Sequence, residues 1–229
     1  MSSLPQAEGD VRSRIVEAAM RLAAIRPFGD IAIRDIAGEA GVSLLQFRDA
    51  FPSKGAVLAG LSRMIDREML RVDYSFGPED GPHERLFAVL SRRLEALGPY
   101  RDGLKSVRAW LLADWSAALE VNKLEVNAMR FACEAAGVET GGALANVKAQ
   151  GLALAWMRVI DVWLTDDEPG QVRSLAALNA ELSRGERAVA GLDGVAKVFA
   201  PAMARLREGF SRPAPSANAN AEEDLSTPL

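Results

Sequence analysis

The spacing of apolar residues predicts an all-α chain. In the segment from 11 to 25, apolar side chains recur at the i, i+3, i+4 and i+7 positions that share one helical face: Ile15, Ala18, Ala19 and Leu22. Asp10 is placed to cap this helix, and Pro27 and Gly29 are placed to end it. No segment alternates apolar and polar residues with the period of two that is typical of a β-strand. We therefore expect helices joined by short connections, and no sheet.

The interruptions of this pattern divide the chain into helices and domains. Further helices are predicted over about 33–40, 44–50, 54–72, 83–97, 102–119, 123–136, 142–164, 171–190 and 195–210. A loop rich in Gly and Pro at 74–82 predicts a domain boundary, and the polar sequence after residue 210 predicts disorder. We expect a flexible N-terminus (1–9), a first domain (10–73), a second, larger domain (74–210) and a disordered tail (211–229).

The helices predicted at 33–40 and 44–50 form a recognisable pair. Gly41 stands between them, and glycine most easily takes the left-handed conformation that ends a helix. Ser43 follows as a cap for the second helix, and Ser53 is placed to cap the helix after it. Two short helices joined by a three-residue turn that contains Gly have the layout of a helix-turn-helix. The same layout is also compatible with a plain three-helix packing unit.

The charge distribution limits how this first domain would contact a polyanion. The chain of 229 residues has a net charge of −4, and residues 10–58 contain seven basic and six acidic side chains. This segment is therefore nearly neutral. Any contact with phosphate must come from the placement of individual cations, since a strong overall field is absent.

The residue types that support catalysis or metal binding are scarce. The chain has one cysteine, Cys133, and one histidine, His83, which we expect at an exposed helix start. Asp166, Asp167 and Glu168 stand in one turn without a further ligand nearby, so we interpret them as a solvated loop. We expect no enzyme activity, no catalytic residue, no metal and no cofactor. Because no apolar stretch is long enough to cross a bilayer or to form a signal peptide, we expect a cytoplasmic protein.

Residues 12–58 resemble the DNA-binding domain of the TetR family of bacterial transcriptional regulators. The residues that carry the resemblance keep the family's order and spacing: Arg12, Ile15, Ala18, Ala19, Leu22, Asp35, Ile36, Ala37, Ala40, Gly41, Val42, Ser43, Phe51, Ser53, Lys54 and Leu58. The sequence departs from the family pattern at five positions: Ala32, Leu45, Gln46, Arg48 and Ala50. The resemblance implies an all-helical homodimer with a small N-terminal DNA-binding domain and a larger domain for ligand binding and dimerisation.

The resemblance also implies which residues contact operator DNA. Seven positions match the family's DNA-binding positions: Arg34, Ser43, Leu44, Leu45, Gln46, Arg48 and Lys54. Gln46 is the best candidate for a base contact, because an amide can pair with adenine in the major groove. Arg48 would contact phosphate or guanine. Lys54 begins a helix whose N-terminus also favours phosphate.

Apolar residues of the second domain are candidates for effector binding and dimerisation. Seven of them would line a pocket for a small apolar effector: Phe87, Trp110, Leu111, Trp115, Met129, Phe131 and Trp156. Ordinary core packing is equally consistent with each of these side chains. The resemblance implies that the last two long helices form a four-helix bundle in the dimer, with interface residues at Trp163, Leu175, Leu178 and Leu182.

A second resemblance leads to an alternative function. Residues 152–187 look like the C-terminal part of the lipid-binding accessory proteins of ubiquinone biosynthesis, which share a TetR-like fold. This resemblance implies an isoprenoid lipid as ligand, no DNA binding, and contact with a membrane surface. The predicted last helix has an apolar stripe that suits a membrane surface or the domain's own core: Val195, Val198, Phe199, Ala202, Met203, Leu206 and Phe210.

Overall fold

The computed structural model describes residues 4–139 and 145–210, with side chains described for 10–139 and 145–191. The described residues form α-helices and short 3₁₀ helices, and no strand occurs among them. The α-helices are α1 (Leu4–Ile25), α2 (Ile33–Glu39), α3 (Leu44–Ala50), α4 (Lys54–Leu70), α5 (Pro82–Leu97), α6 (Arg101–Ala113), α7 (Trp115–Ala135), α8 (Ala145–Trp163) and α9 (Val172–Phe210). The fold is therefore all-α, as the apolar spacing predicts. The predicted tail, 211–229, lies outside the described residues.

Local capping fixes the short helices near the N-terminus. The Asp35 carboxylate accepts a hydrogen bond from the Ala32 backbone N–H at 3.0 Å at the start of α2. Gly41 then has a φ of 62°, the left-handed conformation that ends this helix. At the start of α3, the Ser43 hydroxyl accepts from the Gln46 N–H at 3.1 Å. These contacts give α3 the bounds that the sequence predicts.

One apolar core joins α1–α4 to α5–α8 and to the first turns of α9. α1 packs against α4 and α6, and α4 packs against α5 and α7. The largest completely buried side chains come from the whole length of this core and include Phe28, Phe47, Phe51, Trp156 and Trp163. The chain divides into two units, residues 1–187 and 188–229, and the boundary falls within α9. The domain boundary expected at 74–82 stays a prediction.

Three predicted helix boundaries are wrong. α1 begins at Leu4 rather than at residue 11, so Asp10 lies inside the helix; Pro5 stands in the first turn, where proline is favoured. The helices predicted at 102–119 and 123–136 are instead divided at Asp114. α9 continues through 191–194, where a break was expected, because isolated glycines cost a helix only about 1 kcal/mol each.

Two polar residues that were expected in solvent have structural contacts instead. Asp166 is buried, and its carboxylate accepts hydrogen bonds from the Ser174 N–H and hydroxyl at 2.8 and 2.6 Å. These bonds lower the pKa of Asp166. His83 joins α5 to α9 through Asn179 at 2.8 Å and Glu186 at 3.3 Å. The hydrogen bond with Asn179 is the main cause that raises the pKa of His83, and Glu186 adds to it.

The described residues contain no group of three potential metal ligands. None of the described helices is both long enough and apolar enough to cross a membrane.

Candidate functional site

The outer face of α3 is presented to solvent. We use this name for Leu44, Leu45, Gln46 and Arg48, all of which are exposed. Leu44 is 59% exposed and Leu45 is 71% exposed, which is unusual for leucine in a helix of seven residues. Phe47 and Ala50 point the other way, into the core. The inward pair fixes the rotation of α3, and the rotation leaves the outer face free to contact a partner.

Gln46 combines a structural role with a free donor. Its side-chain carbonyl accepts a hydrogen bond from the Ser43 N–H at 2.9 Å, which completes a capping box with the Ser43 hydroxyl. The amide nitrogen of Gln46 makes no hydrogen bond to the described part of the chain, so two N–H donors face solvent. The cap uses the side-chain carbonyl of Gln46 and leaves its amide N–H groups without a partner on this exposed residue.

The resemblance implies that Lys54 is available to contact phosphate, but in the structure its ammonium group is engaged within the protein. Its ammonium group donates to the carbonyl oxygens of Phe28 at 2.7 Å, Gly29 at 3.0 Å and Ile31 at 3.1 Å. It also lies 4.9 Å from the ring centroid of Phe28 and 5.5 Å from that of Trp110. Since an ammonium has three N–H bonds, these contacts use all of its donors. Lys54 holds the 28–31 turn, and we remove it from the set of candidate phosphate ligands.

Two cations remain available on the surface next to α3. The Arg34 side chain is 82% exposed, and its nearest carboxylate, Asp35, is 3.8 Å away. Arg48 is exposed and forms no ion pair within the described part of the chain. By contrast, Arg21 pairs with Glu39 at 2.9 Å and Arg26 pairs with Asp35 at 2.9 Å, so these two are committed to the fold. Arg34 on α2 and Arg48 on α3 are therefore two exposed cations close to the outer face of α3.

A cavity of about 90 Å³ lies among α4, α5, α6, α7 and α8. Most of its wall is apolar: Leu58, Leu61, Ile65, Leu97, Leu104, Val107, Leu111, Val121, Leu124, Trp156, Met157, Ile160 and Leu164. Four polar residues complete the wall: Ser62, Arg93, Arg108 and Glu125. An apolar pocket with a few convergent polar groups is typical of small-molecule sites.

Only two of the seven predicted pocket residues line this cavity, Leu111 and Trp156. Trp110 lies on another face of α6, edge-on to Phe28 with 5.1 Å between the ring centroids. Trp115 is 76% exposed, and Phe131 is also exposed. Met129 is completely buried and Phe87 is half-buried, but neither contributes to the cavity wall. Large apolar side chains mark core positions on a helix, but their size does not indicate which core positions border a void.

Sequence reasoning missed a buried ion cluster formed by Asp66, Arg93 and Glu125, of which Arg93 and Glu125 line the cavity. Arg93 is 1% exposed and its guanidinium lies 3.2 Å from Asp66 and 3.3 Å from Glu125. Burial raises the pKa of both carboxyls, while the charge of Arg93 opposes this rise. The sequence does indicate that Arg93 is buried. It lies seven residues after Leu86 and four after Val89, which places it on the buried face of α5.

The predicted dimer residues are mostly buried within the protomer. Trp163, Leu178 and Leu182 belong to its own core, and Leu175 is half-buried. The apolar periodicity of α8 and α9 therefore identified the inward face of these helices. Outward-facing apolar residues occur elsewhere on the same helices, at Val147, Leu154 and Val172.

α6 joins the cavity to the N-terminal helices. Leu104, Val107 and Leu111 border the cavity, whereas Gly103, Ser106 and Trp110 border α1 and the turn after it. The Ser106 hydroxyl accepts from the Phe28 N–H at 2.7 Å and donates to the Arg26 carbonyl at 3.2 Å. One helix thus contacts both the cavity and the base of α1.

Comparisons with known proteins agree on the fold. No protein-family model matches the chain, and no curated protein is similar enough in sequence to match it. Among solved structures, a TetR transcriptional regulator from Nitrosomonas europaea matches with a TM-score of 0.60 and 19% identity, over 76% of this chain and 97% of that one. A TetR transcriptional regulator from Rhodococcus sp. RHA1 matches with a TM-score of 0.56 and 20% identity, over 76% and 94%.

A TetR-family transcriptional regulator from Streptomyces coelicolor matches over 88% of this chain and 98% of its own, with a TM-score of 0.54 and 16% identity. The three structures span most of the chain, and they agree with the resemblance of residues 12–58. The chain therefore has the all-helical fold of TetR-type regulators.

Proposed function

We propose that the protein is a ligand-responsive transcriptional regulator, a repressor that binds a palindromic DNA site as a homodimer and is released by a small apolar effector. The observation that carries the proposal is the outer face of α3. Its four side chains are exposed while Phe47 and Ala50 anchor the helix from behind. A helix held in this way at the second position of a helix-turn-helix is suited to enter the major groove.

The exposed residues fit distinct parts of a DNA duplex. The free amide N–H groups of Gln46 can donate to a base edge, and Leu44 and Leu45 can contact the methyl groups of thymine. Ser43 stands beside them at the start of α3. Arg48 forms no ion pair within the described residues, and Arg34 is 82% exposed with only a long contact to Asp35 at 3.8 Å, so both can bind phosphates beside the groove. Phosphate contact at the start of α4 would use the backbone N–H groups of the helix, since the Lys54 ammonium is engaged.

Dimerisation would place two such helices on one face of the DNA. Val147, Gly151, Leu154 and Arg158 are exposed at spacings of four, three and four residues, which align them along one side of α8. We propose this stripe, with the exposed start of α9 at Val172, as the dimer face. A two-fold axis through it would present the two copies of α3 to half-sites about 34–36 Å apart.

Effector release would act through α6. A molecule in the cavity contacts Leu104, Val107 and Leu111, and the opposite side of the same helix holds the turn at 26–28 through Ser106. An effector that binds better to one position of α6 favours that position, and with it one spacing of the two DNA-binding helices. An effector that favours a spacing other than that of the half-sites would release the DNA.

The alternative function, lipid binding without DNA binding, receives less support. A cavity of about 90 Å³ holds a small molecule but is too small for a long isoprenoid chain. The side chains of the apolar stripe at 195–210 lie outside the described residues, so the proposed membrane contact has no structural support.

The charge of Arg48 tests the DNA-binding proposal. We expect Arg48→Ala to weaken binding to the cognate duplex at least about tenfold, because each half of the dimer loses a phosphate contact. The slope of log affinity against log salt should fall by about two for the dimer. Fluorescence anisotropy with a labelled duplex over a series of salt concentrations measures both quantities.

Arg63→Ala provides the matched control. Arg63 is also an exposed arginine, but it lies in the C-terminal half of α4. Both variants change the net charge equally, so a general field effect would weaken both alike. Equal affinities for the two variants would remove Arg48 from the DNA interface and with it the proposed orientation of α3.

A further inference from the structure

The ionisable side chains of the cavity wall and their direct partners do not balance in charge. The buried ion cluster contains two carboxylates, Asp66 and Glu125, and one guanidinium, Arg93. Arg108, the other cation of the wall, forms two hydrogen bonds to Asp161, at 2.6 and 2.9 Å. The Arg108–Asp161 pair is neutral, whereas Asp66 and Glu125 share the single guanidinium of Arg93, so this cluster has one carboxylate in excess.

The cations of the wall have little capacity left for a ligand. Arg93 directs its Nε to Asp66 at 3.3 Å, its Nη2 to Ser62 at 3.4 Å and its Nη1 to Glu125 at 3.3 Å. The guanidinium also lies 5.2 Å from the ring centroid of Trp156. An anionic ligand would have to displace a carboxylate from Arg93 or Arg108, and it would add a further negative charge to a region that already has one in excess. The geometry thus disfavours carboxylate and phosphate ligands.

Glu125 has an unused acceptor inside the protein. Its Oε2 atom is buried and accepts no hydrogen bond from the described residues, although it lies 3.3 Å from Arg93 Nη1. A buried acceptor without a donor is costly, and a ligand that donates to it recovers that cost. Because the residue lines the cavity, a molecule held there lies next to this side chain.

The size of the cavity limits the rest of the ligand. A water-sized sphere needs about 10–15 Å³, so a volume of about 90 Å³ corresponds to a molecule of somewhat under ten non-hydrogen atoms. The walls that would surround its apolar part come from Val107, Leu111, Trp156 and Ile160. These surroundings fit a compact ring or a short branched chain with one polar group.

We propose that the cavity binds a small apolar amine in its ammonium form, with the charged nitrogen at Glu125 and the apolar part among α6 and α8. The ammonium supplies both the missing positive charge and the hydrogen-bond donors that Oε2 lacks. Only the role of this amine as the effector rests on the proposed function. Binding of the amine itself does not depend on whether the protein binds DNA.

Titration calorimetry with four molecules of nearly equal shape tests the charge preference. The probes are benzylamine, benzyl alcohol, toluene and benzoate, each titrated into the full-length protein at neutral pH. We expect benzylamine to bind at least about tenfold more tightly than benzyl alcohol or toluene, and benzoate not to bind. A preference for benzoate, or equal affinity for benzylamine and toluene, would overturn the proposal.

The variant Glu125→Gln identifies the group responsible. It keeps the shape of the side chain but removes the charge, so the preference for benzylamine over benzyl alcohol should fall to about twofold or less. Glu134→Gln, at an exposed position of the same helix, should keep the full preference. An unchanged preference in Glu125→Gln would place the amine elsewhere. If Glu125→Gln fails to fold, the four probes on the unaltered protein still decide the charge preference.

A separate assay distinguishes this proposal from the proposed function. Benzylamine is added to a complex of the protein with its cognate duplex, and release is followed by anisotropy. Binding in calorimetry together with release of DNA supports both proposals. Binding without release leaves the amine site intact and contradicts its role as effector. Release without any preference over toluene contradicts the amine site and leaves the regulator proposal standing.

Discussion

Single residues in this protein show how far a side chain's role depends on its distant neighbours. Lys54 begins α4, a position where an ammonium next to a helix N-terminus suits a phosphate. In the folded chain it donates to three carbonyl oxygens of residues 28–31 instead. Those carbonyls are more than twenty positions away in the sequence, so no local pattern could indicate the pairing. Burial of the Lys54 ammonium lowers its pKa, in keeping with its position beneath Phe28 and Trp110.

We expect Lys54→Ala to destabilise the fold by about 2 kcal/mol, because the carbonyls of the 28–31 turn lose a charged donor. Urea unfolding followed by circular dichroism measures the change. Lys123→Ala removes an exposed lysine from α7 and should leave the free energy of unfolding unchanged. If the two variants were equally stable, the contacts of Lys54 would not hold this turn. Any loss of DNA binding in Lys54→Ala must be judged against its stability, and Arg48 is therefore the better probe of the interface.

The buried ion cluster is the part of the candidate site that sequence could have indicated. Arg93 occupies a position that the apolar period reserves for the core, and a charge at such a position needs buried partners. The partners Asp66 and Glu125 lie on α4 and α7, and their identity follows only from the packing of those helices around α5. Sequence can therefore predict that a buried charge exists, but the assignment of its partners requires the fold.

At the scale of helices, predictions are accurate where a cap is encoded locally. α2 ends just before Gly41, α3 begins after its cap Ser43, and α4 begins after its cap Ser53. The sequence predicts these three bounds to within about one residue. The break between α6 and α7 was missed, because apolar residues continue across it and no Gly or Pro marks it. Asp114 ends one helix and caps the next, with its carboxylate accepting from the Ser116 and Ala117 N–H groups, each at 3.1 Å.

The contact between α1 and α6 depends on the absence of a side chain at Gly103. A Cβ atom there would lie 2.6 Å from the Met20 carbonyl oxygen, which belongs to the backbone of α1. We expect Gly103→Ala to force the two helices apart and to destabilise the protein by about 1–3 kcal/mol. Thermal unfolding measured by circular dichroism should show a clearly lower Tm.

Gly38→Ala is the control for this substitution. Gly38 lies within α2, and a Cβ at that position would meet nothing within 4 Å. Alanine should be tolerated there or raise stability by up to about 1 kcal/mol, because glycine is a poor helix former. A Gly103→Ala protein as stable as Gly38→Ala would contradict the close approach of α1 and α6.

At the scale of the whole molecule, the fold could be predicted more completely than the sites. The all-α class follows from apolar spacing, and the motif at 12–58 indicated the TetR-like architecture that solved structures also support. The cavity could not be assigned in the same way. Its wall contains residues from five helices. Of the aromatic residues predicted to line a pocket, only Trp156 belongs to this wall. Of the predicted dimer residues, Trp163, Leu178 and Leu182 are buried in the core of one protomer, because the apolar period marks the inward face of a helix.

The central claim is that the outer face of α3 reads a DNA sequence. The most direct test incubates the full-length protein with a pool of genomic fragments from its own organism, including the DNA upstream of its own gene. Bound fragments are sequenced, and their affinity is measured against an unrelated duplex over a series of salt concentrations. We predict enrichment of a palindrome, an affinity at least about a thousandfold above that for the unrelated duplex, and a steep fall with salt. A folded protein that selects no fragment, and binds every duplex with the same weak affinity, would contradict the account.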